Sequence, residues 1–203
     1  NDYPDMPSSL MHIYLIEAGP RLLAGMSEES SAHAEQFLRE MGVNILLNKR
    51  VVDYRDHKVV LEDGTEIATR TFIWVSGVTG VTIGNLDASL IGRGGRIKVD
   101  SFNRVEGMNN VFAIGDQCIQ LADENYPNGH PQLAQVAIQQ GELLAKNLVR
   151  MEKGREMKPF HYRNLGSMAT VGRNRAVAEF SKIKTQGWFA WVLWLVVHLR
   201  SIL

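Results

Sequence analysis

The stretch Asn109–Cys118, NNVFAIGDQC, places an apolar run directly before a glycine and an acid. Residues 111–114 are apolar without interruption, which is typical of a strand buried on both faces of a parallel sheet. Gly115 lets the backbone approach a ligand closely, and Asp116 stands where the carboxyl end of that strand is expected. Because open α/β sheets bind ligands at this edge, the stretch predicts a ligand site in an α/β fold. A simple Gly-Asp turn is the alternative.

A helix is predicted to follow over Gln132–Met151, since Pro131 precedes it and its apolar residues recur on one side. The positive N-terminal end of this helix would face the Gly-Asp turn, which suits an electron-rich ring that becomes anionic when reduced, such as a flavin. Gln135 and Gln139 are four residues apart and project from one helical face. A solvated polar stripe is the alternative interpretation of these two glutamines.

The beginning of the chain predicts a β-strand, a loop and a helix in that order. The strand is MHIYLIE at 11–17, and the helix covers Glu28–Met41 with Ser27 as its N-cap. Glu17 ends the strand, and an acid at this place in a dinucleotide-binding βαβ unit accepts hydrogen bonds from the adenosine ribose. Such an acid favours NADH and repels the 2′-phosphate of NADPH. A solvent-facing acid is the other interpretation.

Short strands are predicted in two further parts of the chain. After Gly42 they form a meander in which Asp63-Gly64 is a hairpin turn, and a strand at 71–77 closes it. The Gly-rich segment 81–95 is interpreted as a crossing loop. Further strands are predicted at 96–100, 167–171 and 175–180.

Composition excludes several classes of function. The formal net charge is zero, so the molecule as a whole offers no basis for binding nucleic acid. Cys118 is the single cysteine, which rules out an intramolecular disulfide, a Cys-x-x-Cys redox pair and a cysteine-based metal cluster. It is expected to be a small buried residue in a reducing compartment. Residues 151–203 carry 9 Lys and Arg against 3 acids, so the chain ends in a basic segment.

This basic segment ends in GWFAWVLWLVVHLRSIL, residues 187–203. Trp188, Trp191 and Trp194 recur every third residue, and the run is shorter than the ~20 apolar residues that a membrane span needs. Tryptophans beside basic residues are typical of a helix that lies in the membrane interface. A buried core or dimer helix is the competing interpretation.

The motifs NNVFAIGD, LAQVAIQQGELLAKNL, GSMATVGRNRAVAE and GWFAWVLWLVVHL together resemble the C-terminal half of type II NADH dehydrogenases. These are single-subunit NADH:quinone oxidoreductases that do not pump protons. The resemblance implies a partial two-dinucleotide (FAD/NAD) flavoprotein fold with a β-meander insertion and a C-terminal interfacial helix. It also implies that the flavin performs the chemistry, with no catalytic side chain.

The resemblance assigns binding roles residue by residue. FAD would be held by Gly115, Asp116, Gln135 and Val136, NADH by Glu17, Gly77 and Val78, and quinone by Gln135 and Gln139. The family commonly has Pro-x-Thr-Ala-Gln where this chain has Pro131-Gln132-Leu133-Ala134-Gln135, so a hydrogen bond from that threonine is not expected here. No metal is implied.

Three further residues allow two interpretations each. His130, directly before Pro131, is either a proton donor to quinone or a solvated loop histidine. Arg173 and Arg175 either reach the flavin or a phosphate, or belong to a solvated basic turn.

These observations predict four segments. Residues 1–80 would be the latter part of an NADH domain, 81–95 a crossing loop, 96–150 the closing part of an FAD domain, and 151–203 an interface and membrane region. Neither glycine-rich phosphate loop occurs in the chain, so we expect that it neither retains FAD firmly nor turns over NADH by itself.

The complete enzyme would lie at the cytoplasmic face of the cell membrane as a homo-oligomer. The alternatives are another flavin reductase, such as a ferredoxin or sulfide:quinone reductase, and a non-catalytic module for membrane docking or assembly.

Overall fold

The computed structural model of the chain describes residues 11–81, 83–181 and 183–202. They form two compact units: Val75–Asn164 is one, and the described residues up to Trp74 together with those from Leu165 onward are the other. The sequence placed its divisions near residues 80, 95 and 150 instead. The structure thus groups the C-terminal segment with the first strands of the chain, while the binding role of each segment stays a prediction.

A βαβ element opens the first unit. Its first strand and its helix were predicted, whereas its second strand was assigned to the meander and is instead parallel to the first. Strand β1 (Ile13–Ile16) and strand β2 (Val43–Leu46) are parallel neighbours, and helix α1 (Glu28–Glu40) connects them. Ser27 caps α1, because its side chain accepts a hydrogen bond from the Ser30 N–H at 3.3 Å. Ala34 is buried on the inner face of the helix.

The meander is an antiparallel sheet in the order β3 (Val51–Arg55), β4 (Lys58–Leu61) and β5 (Glu66–Ala68). Its second turn is the predicted Asp63-Gly64 turn, in which Gly64 has a φ of +83°. Its first turn places Asp56 and His57 at positive φ, the combination that a tight two-residue hairpin turn requires.

Val75–Asn164 contains two parallel strands, β6 (Ile97–Val99) and β7 (Cys118–Gln120), and the long helix α2 (Ala134–Glu152). The predicted strand at 96–100 and the predicted helix at 132–151 are therefore confirmed. The core of this unit is formed by buried apolar side chains around the two strands: Ile97, Val99, Val105 and Cys118.

Two predicted strands are wrong. Residues 71–77 form no strand and leave Ile73 74% exposed, and 111–114 make only an isolated bridge from Phe112 to Arg104. A strand requires hydrogen-bonded neighbours, and within the described ranges neither segment has a strand beside it. The acid that was expected after a buried strand, Asp116, instead lies just before β7.

The first unit is completed by a second antiparallel sheet and helix α3 (Gly187–Ile202). The sheet is formed by β8 (Ser167–Thr170), β9 (Ala176–Phe180) and β10 (Ile183–Gln186), with β9 in the centre. Strands β8 and β9 confirm the prediction, whereas β10 was not predicted. Helix α3 packs closely on this sheet through alanines that are fully buried: Ala176, Ala178 and Ala190.

Candidate functional site

The Gly-Asp motif forms one 3₁₀ turn, Gly115–Gln117, immediately before β7. Gly115 has a φ of +65°, a conformation that other residues rarely adopt. A Cβ atom at this position would lie 3.2 Å from the Cβ of Ala137 in α2. Glycine is therefore needed here for two reasons, the backbone conformation and the close approach of the helix.

Gln140 holds the turn against the helix. Its Oε1 accepts a hydrogen bond of 2.7 Å from the Gly115 N–H, and the side chain is only 1% exposed. Sequence reasoning missed Gln140 and selected Gln135 and Gln139 instead. The available signal was position, since Gln140 falls on the same helical face as the buried Val136.

The start of α2 lies beside the Gly-Asp turn, which confirms that part of the prediction. The Gln132 side chain donates a hydrogen bond of 3.1 Å to the carbonyl oxygen of Asp116. Leu133 is the N-cap residue, and no side chain caps the helix at this end. The N–H dipoles of the first turn can therefore stabilise negative charge on a bound group.

The residues around the turn fit the requirements of FAD. Asp116 is exposed and carries a carboxylate that can accept hydrogen bonds from hydroxyl groups. Gly115 brings the backbone close, and the helix start at Gln135 and Val136 offers positive electrostatic potential. The binding roles of these four residues stay predictions.

Gln139 makes contacts that the sequence did not indicate. Its Nε2 donates to the carbonyl oxygen of Arg163 at 2.9 Å, and its Oε1 accepts from the Arg163 N–H at 3.0 Å. Both polar groups of this side chain therefore hold one backbone residue. Its predicted role at a quinone site stays a prediction.

Glu17 directly follows β1, where the predicted ribose-binding acid should lie. Its Oε1 accepts a hydrogen bond of 2.7 Å from the Gly19 N–H, so the loop after the strand orients the carboxylate. A Cβ atom on Gly19 would come within 3.2 Å of that oxygen. The geometry suits an acceptor at the end of a strand, and the NADH role stays a prediction.

Gly77 and Val78 lie in an extended, exposed segment of Val75–Asn164. Gly77 has a φ of +95°, and a Cβ atom there would meet nothing within 4 Å. The backbone is thus accessible at the predicted nicotinamide position. The contact with NADH itself stays a prediction.

The interpretation of His130 as a solvated loop residue is wrong. Its side chain is 1% exposed, and its Nε2 lies 3.0 Å from Oδ2 of the buried Asp123. A histidine before a proline gave no signal of burial, because two of the aromatic residues around it, Phe160 and Tyr162, lie about 30 residues further along the chain.

Arg175 makes a structural contact in the first unit. Its Nη1 lies 2.6 Å from Oε2 of Glu40, and its guanidinium lies 5.2 Å from the centre of the Phe37 ring. A hydrogen bond from Gln36 and then the contact with Arg175 lower the pKa of Glu40. Arg175 thus connects the β8–β9 turn to α1, while the role of Arg173 stays a prediction.

Cys118 is buried, as expected for a small structural cysteine. Burial raises the pKa of its thiol, so the thiol stays protonated near neutral pH. Among the described residues there is no group of three or more His, Cys, Asp or Glu side chains that could hold a metal ion.

Helix α3 exposes one apolar face. The exposed side chains share one side of the helix: Trp188, Phe189, Leu193, Val196 and Leu199. Trp191 packs instead against the buried alanines, so the three tryptophans do not form one surface. No helix in the described part of the chain has the length and apolar character required to cross a membrane.

A family model assigns the chain to a class of proteins. The family model for pyridine nucleotide-disulphide oxidoreductases matches residues 8–141. The chain therefore belongs to the pyridine nucleotide-disulphide oxidoreductase family. Within this class it is similar to type II NADH:quinone oxidoreductases, which confirms the resemblance, and its likeness to a solved NDH2 structure confirms the α/β flavoprotein fold.

Two curated relatives and one solved structure illustrate this. The chain is 36% identical over 200 residues to the type II NADH:quinone oxidoreductase NdhA of Mycobacterium tuberculosis, covering 92% of this chain and 41% of the relative. It is 30% identical over 195 residues to the type II NADH:quinone oxidoreductase of Haemophilus influenzae, covering 93% and 44%.

The structure of NDH2 from Plasmodium falciparum in complex with NADH has the same fold, with a TM-score of 0.83 at 19% identity, covering 95% of this chain and 55% of that one. The chain thus spans about two fifths of the length of these curated relatives.

Proposed function

We propose that this chain is part of an enzyme that uses FAD to transfer two electrons from NADH to a membrane quinone without pumping protons. The observation that carries the proposal is the contact between the Gly115–Gln117 turn and the start of α2, which Gln140 holds together. The chain lacks both glycine-rich phosphate loops, so the proposal concerns the complete protein.

In this proposal Asp116 holds the ribitol of FAD, and the backbone of Gln135 and Val136 faces the electron-rich edge of its ring. Bound FAD supplies the two-electron chemistry between a hydride donor and a quinone. The protein contributes the helix dipole at the start of α2, which stabilises negative charge without a proton donor.

Glu17 would select the nicotinamide cofactor. A carboxylate oriented by the Gly19 N–H accepts hydrogen bonds from the ribose hydroxyls of NADH and repels the 2′-phosphate of NADPH. Gly77 and Val78 would let the nicotinamide approach the backbone. Gln135 and Gln139 would border the quinone.

The test is a steady-state assay of the complete protein with NADH and with NADPH, using a soluble quinone as acceptor. We expect kcat/KM to be at least about tenfold higher with NADH, because of the acid at position 17. A Gln135→Ala variant should lower kcat/KM for quinone about tenfold and change flavin reduction by NADH less than about twofold.

Gln36→Ala is the matched control, since Gln36 lies on an exposed face of α1 and bonds only Glu40 among the described contacts. A protein that binds FAD and oxidises NADH but leaves quinone unreduced would support another flavin reductase. A complete protein that binds neither FAD nor NADH would support the non-catalytic module.

The exposed face of α3 would attach the enzyme to the cytoplasmic surface of the membrane. Trp188, Phe189 and Leu193 expose aromatic and aliphatic side chains on the same side of the helix, and Arg200 lies in its last turn. Such a helix binds at the level of the lipid headgroups, with basic residues toward anionic lipid.

A further inference from the structure

A buried histidine and a buried acid precede α2, and the proposed function assigns neither of them. The His130 ring is enclosed by three aromatic rings, with centroid distances of 5.1 Å to Tyr126, 5.2 Å to Phe160 and 5.8 Å to Tyr162. Its Nε2 lies 3.0 Å from Oδ2 of Asp123, which is itself buried.

The two ring nitrogens of His130 differ in their surroundings. Nε2 faces the Asp123 carboxylate, whereas Nδ1 is buried and has no hydrogen-bond partner among the described residues. An ionised carboxylate can only accept hydrogen bonds, so the ring nitrogen that contacts it must carry a hydrogen. The ring therefore donates its Nε2–H to Asp123. This hydrogen bond lowers the pKa of the Asp123 carboxyl, which stays ionised as an acceptor.

The backbone of His130 is held as firmly as its ring. Its carbonyl oxygen accepts a hydrogen bond of 3.0 Å from Nη2 of Arg96, and Nε of Arg96 donates to the carbonyl oxygen of Cys118 at 2.6 Å. Arg96 is buried, so it makes both bonds away from bulk water. Cys118 directly follows the Gly115–Gln117 turn, and Arg96 thus joins that turn to the segment before α2.

We propose that Asp123, His130 and Arg96 are positioning residues that fix the start of α2 beside the Gly115–Gln117 turn. Pro131 and Gln132 are the next residues along the chain, and Gln132 is already bonded to Asp116. Loss of the His130 contacts releases this segment and moves the positive end of α2 away from the flavin. The inference rests on the proposed function, because only that function places a flavin beside the start of α2.

The test compares variants in the complete flavoenzyme. His130→Phe fills the aromatic enclosure but cannot donate to Asp123, whereas His130→Gln retains an N–H donor at a similar distance. Phe160→Leu is the matched control, because it disturbs the same enclosure without removing a hydrogen bond. Hydrogen–deuterium exchange of the peptide over residues 131–137 reports the start of α2, and the flavin midpoint potential reports the electrostatic effect.

We expect exchange of this peptide to be about tenfold faster in His130→Phe than in the wild type, since a buried hydrogen bond is lost. The flavin potential should become more negative, because the reduced flavin loses the stabilising helix dipole. His130→Gln should behave much more like the wild type in both measurements, the exchange rate and the flavin potential. Asp123→Asn keeps the side-chain shape and should shift the exchange rate and the flavin potential in the same direction, by a smaller amount. This variant replaces His130→Phe in the test if His130→Phe does not fold.

Equal exchange in His130→Phe and Phe160→Leu, or no recovery in His130→Gln, would overturn the inference. Failure of the proposed function has a different signature. A wild-type protein that does not reduce quinone with NADH contradicts the function, while the exchange rates and the potential still decide whether His130 positions α2.

Discussion

Gly115 and Gln140 together determine how closely α2 approaches the Gly-Asp turn. The glycine leaves space for Ala137, and the glutamine satisfies the N–H that the positive φ directs toward the helix. Buried polar groups cost free energy unless they are hydrogen-bonded, so each residue depends on the other.

Replacing Gly115 by alanine should destabilise the protein more than the same change at Gly42, a glycine of positive φ without close neighbours. Gly42 is the matched control, because its φ is +82° and a Cβ atom there would meet nothing within 4 Å. Both variants carry the backbone strain of about 1 kcal/mol, and Gly115→Ala adds the contact with Ala137, at about 1 kcal/mol more. Urea denaturation measures both changes.

The same pair of variants bears on the cofactor. Gly115→Ala should also weaken retention of FAD by the complete protein during gel filtration, and Gly42→Ala should not. Equal losses of stability in the two variants would show that the helix does not restrict position 115.

Helix α1 is completed by a residue far from it in sequence. The Glu179 carboxylate accepts hydrogen bonds from the N–H and the hydroxyl of Ser27, the N-cap residue. Burial alone would raise the pKa of Glu179, but the hydrogen bonds from Ser27 and Ser30 and the charge of Lys184 together lower it. A carboxylate whose pKa is lowered in the folded state stabilises that state while it is ionised.

The contribution of Glu179 should therefore depend on pH. It is fully present above the pKa of an unfolded glutamate, about 4.3, and is lost as the pH falls through the lower pKa of the folded state. Glu179→Gln should cost about 1 kcal/mol at pH 7, as expected for hydrogen bonds to a charged group at a partly exposed site, and much less at pH 3. Thermal melts of both proteins at each pH measure the difference.

Glu28→Gln is the control for this experiment, since Glu28 also lies at the start of α1 but has no contact with Ser27 through its side chain among the described bonds. A loss of stability at Glu179 that is the same at pH 7 and pH 3 would contradict the electrostatic explanation.

Helix α3 offers a direct test of membrane attachment. Val196 lies on its exposed apolar face and Val52 lies on β3, and each is 56% exposed. Val196→Asp should lower co-sedimentation of the complete protein with anionic lipid vesicles about tenfold, because a charge enters the apolar face. Val52→Asp should have little effect. Equal binding by both variants would indicate that another surface attaches the protein to the membrane.

The sequence predicted the helices well because their signals are local. Ser27, Pro131 and the 3.6-residue apolar period lie within or beside the helices that they define. The predictions of strands at 71–77 and 111–114 were wrong, because a strand needs a hydrogen-bonded neighbour and no local sequence pattern reveals that neighbour. The same reason explains β10, which pairs with β9 but has little apolar alternation of its own.

The site was predicted less completely than the fold. Gly115, Asp116 and the start of α2 carry a motif, whereas Gln140, Arg96 and the Asp123–His130 pair act through contacts between distant segments. A polar side chain on an apolar helical face was the single usable signal, and it applied to Gln140.

Across the whole molecule, the apolar side chains around residue 75 are notably exposed. Ile73 and Val75 are 74% and 84% exposed, and Trp74 between them is 61% exposed. Exposed apolar side chains at consecutive positions favour association. We expect the isolated chain to self-associate, and Trp74→Ser with Val75→Ser should reduce the apparent mass.

Multi-angle light scattering at increasing concentration measures this association. The double variant Val52→Ser with Leu121→Ser is the control, because it removes two exposed apolar side chains elsewhere. An isolated chain that stays monomeric at high concentration would contradict the prediction.

The contact between Ser27 and Glu179 joins residues that are 152 positions apart. A ribosome adds roughly 5–20 residues each second, so several seconds pass between synthesis of the two partners. The continuous segment Val75–Asn164 is synthesised within that interval, whereas the N-cap of α1 must wait for β9 before it has its partner. During synthesis a chaperone would therefore meet the βαβ element of α1 before its helix N-cap has the Glu179 partner.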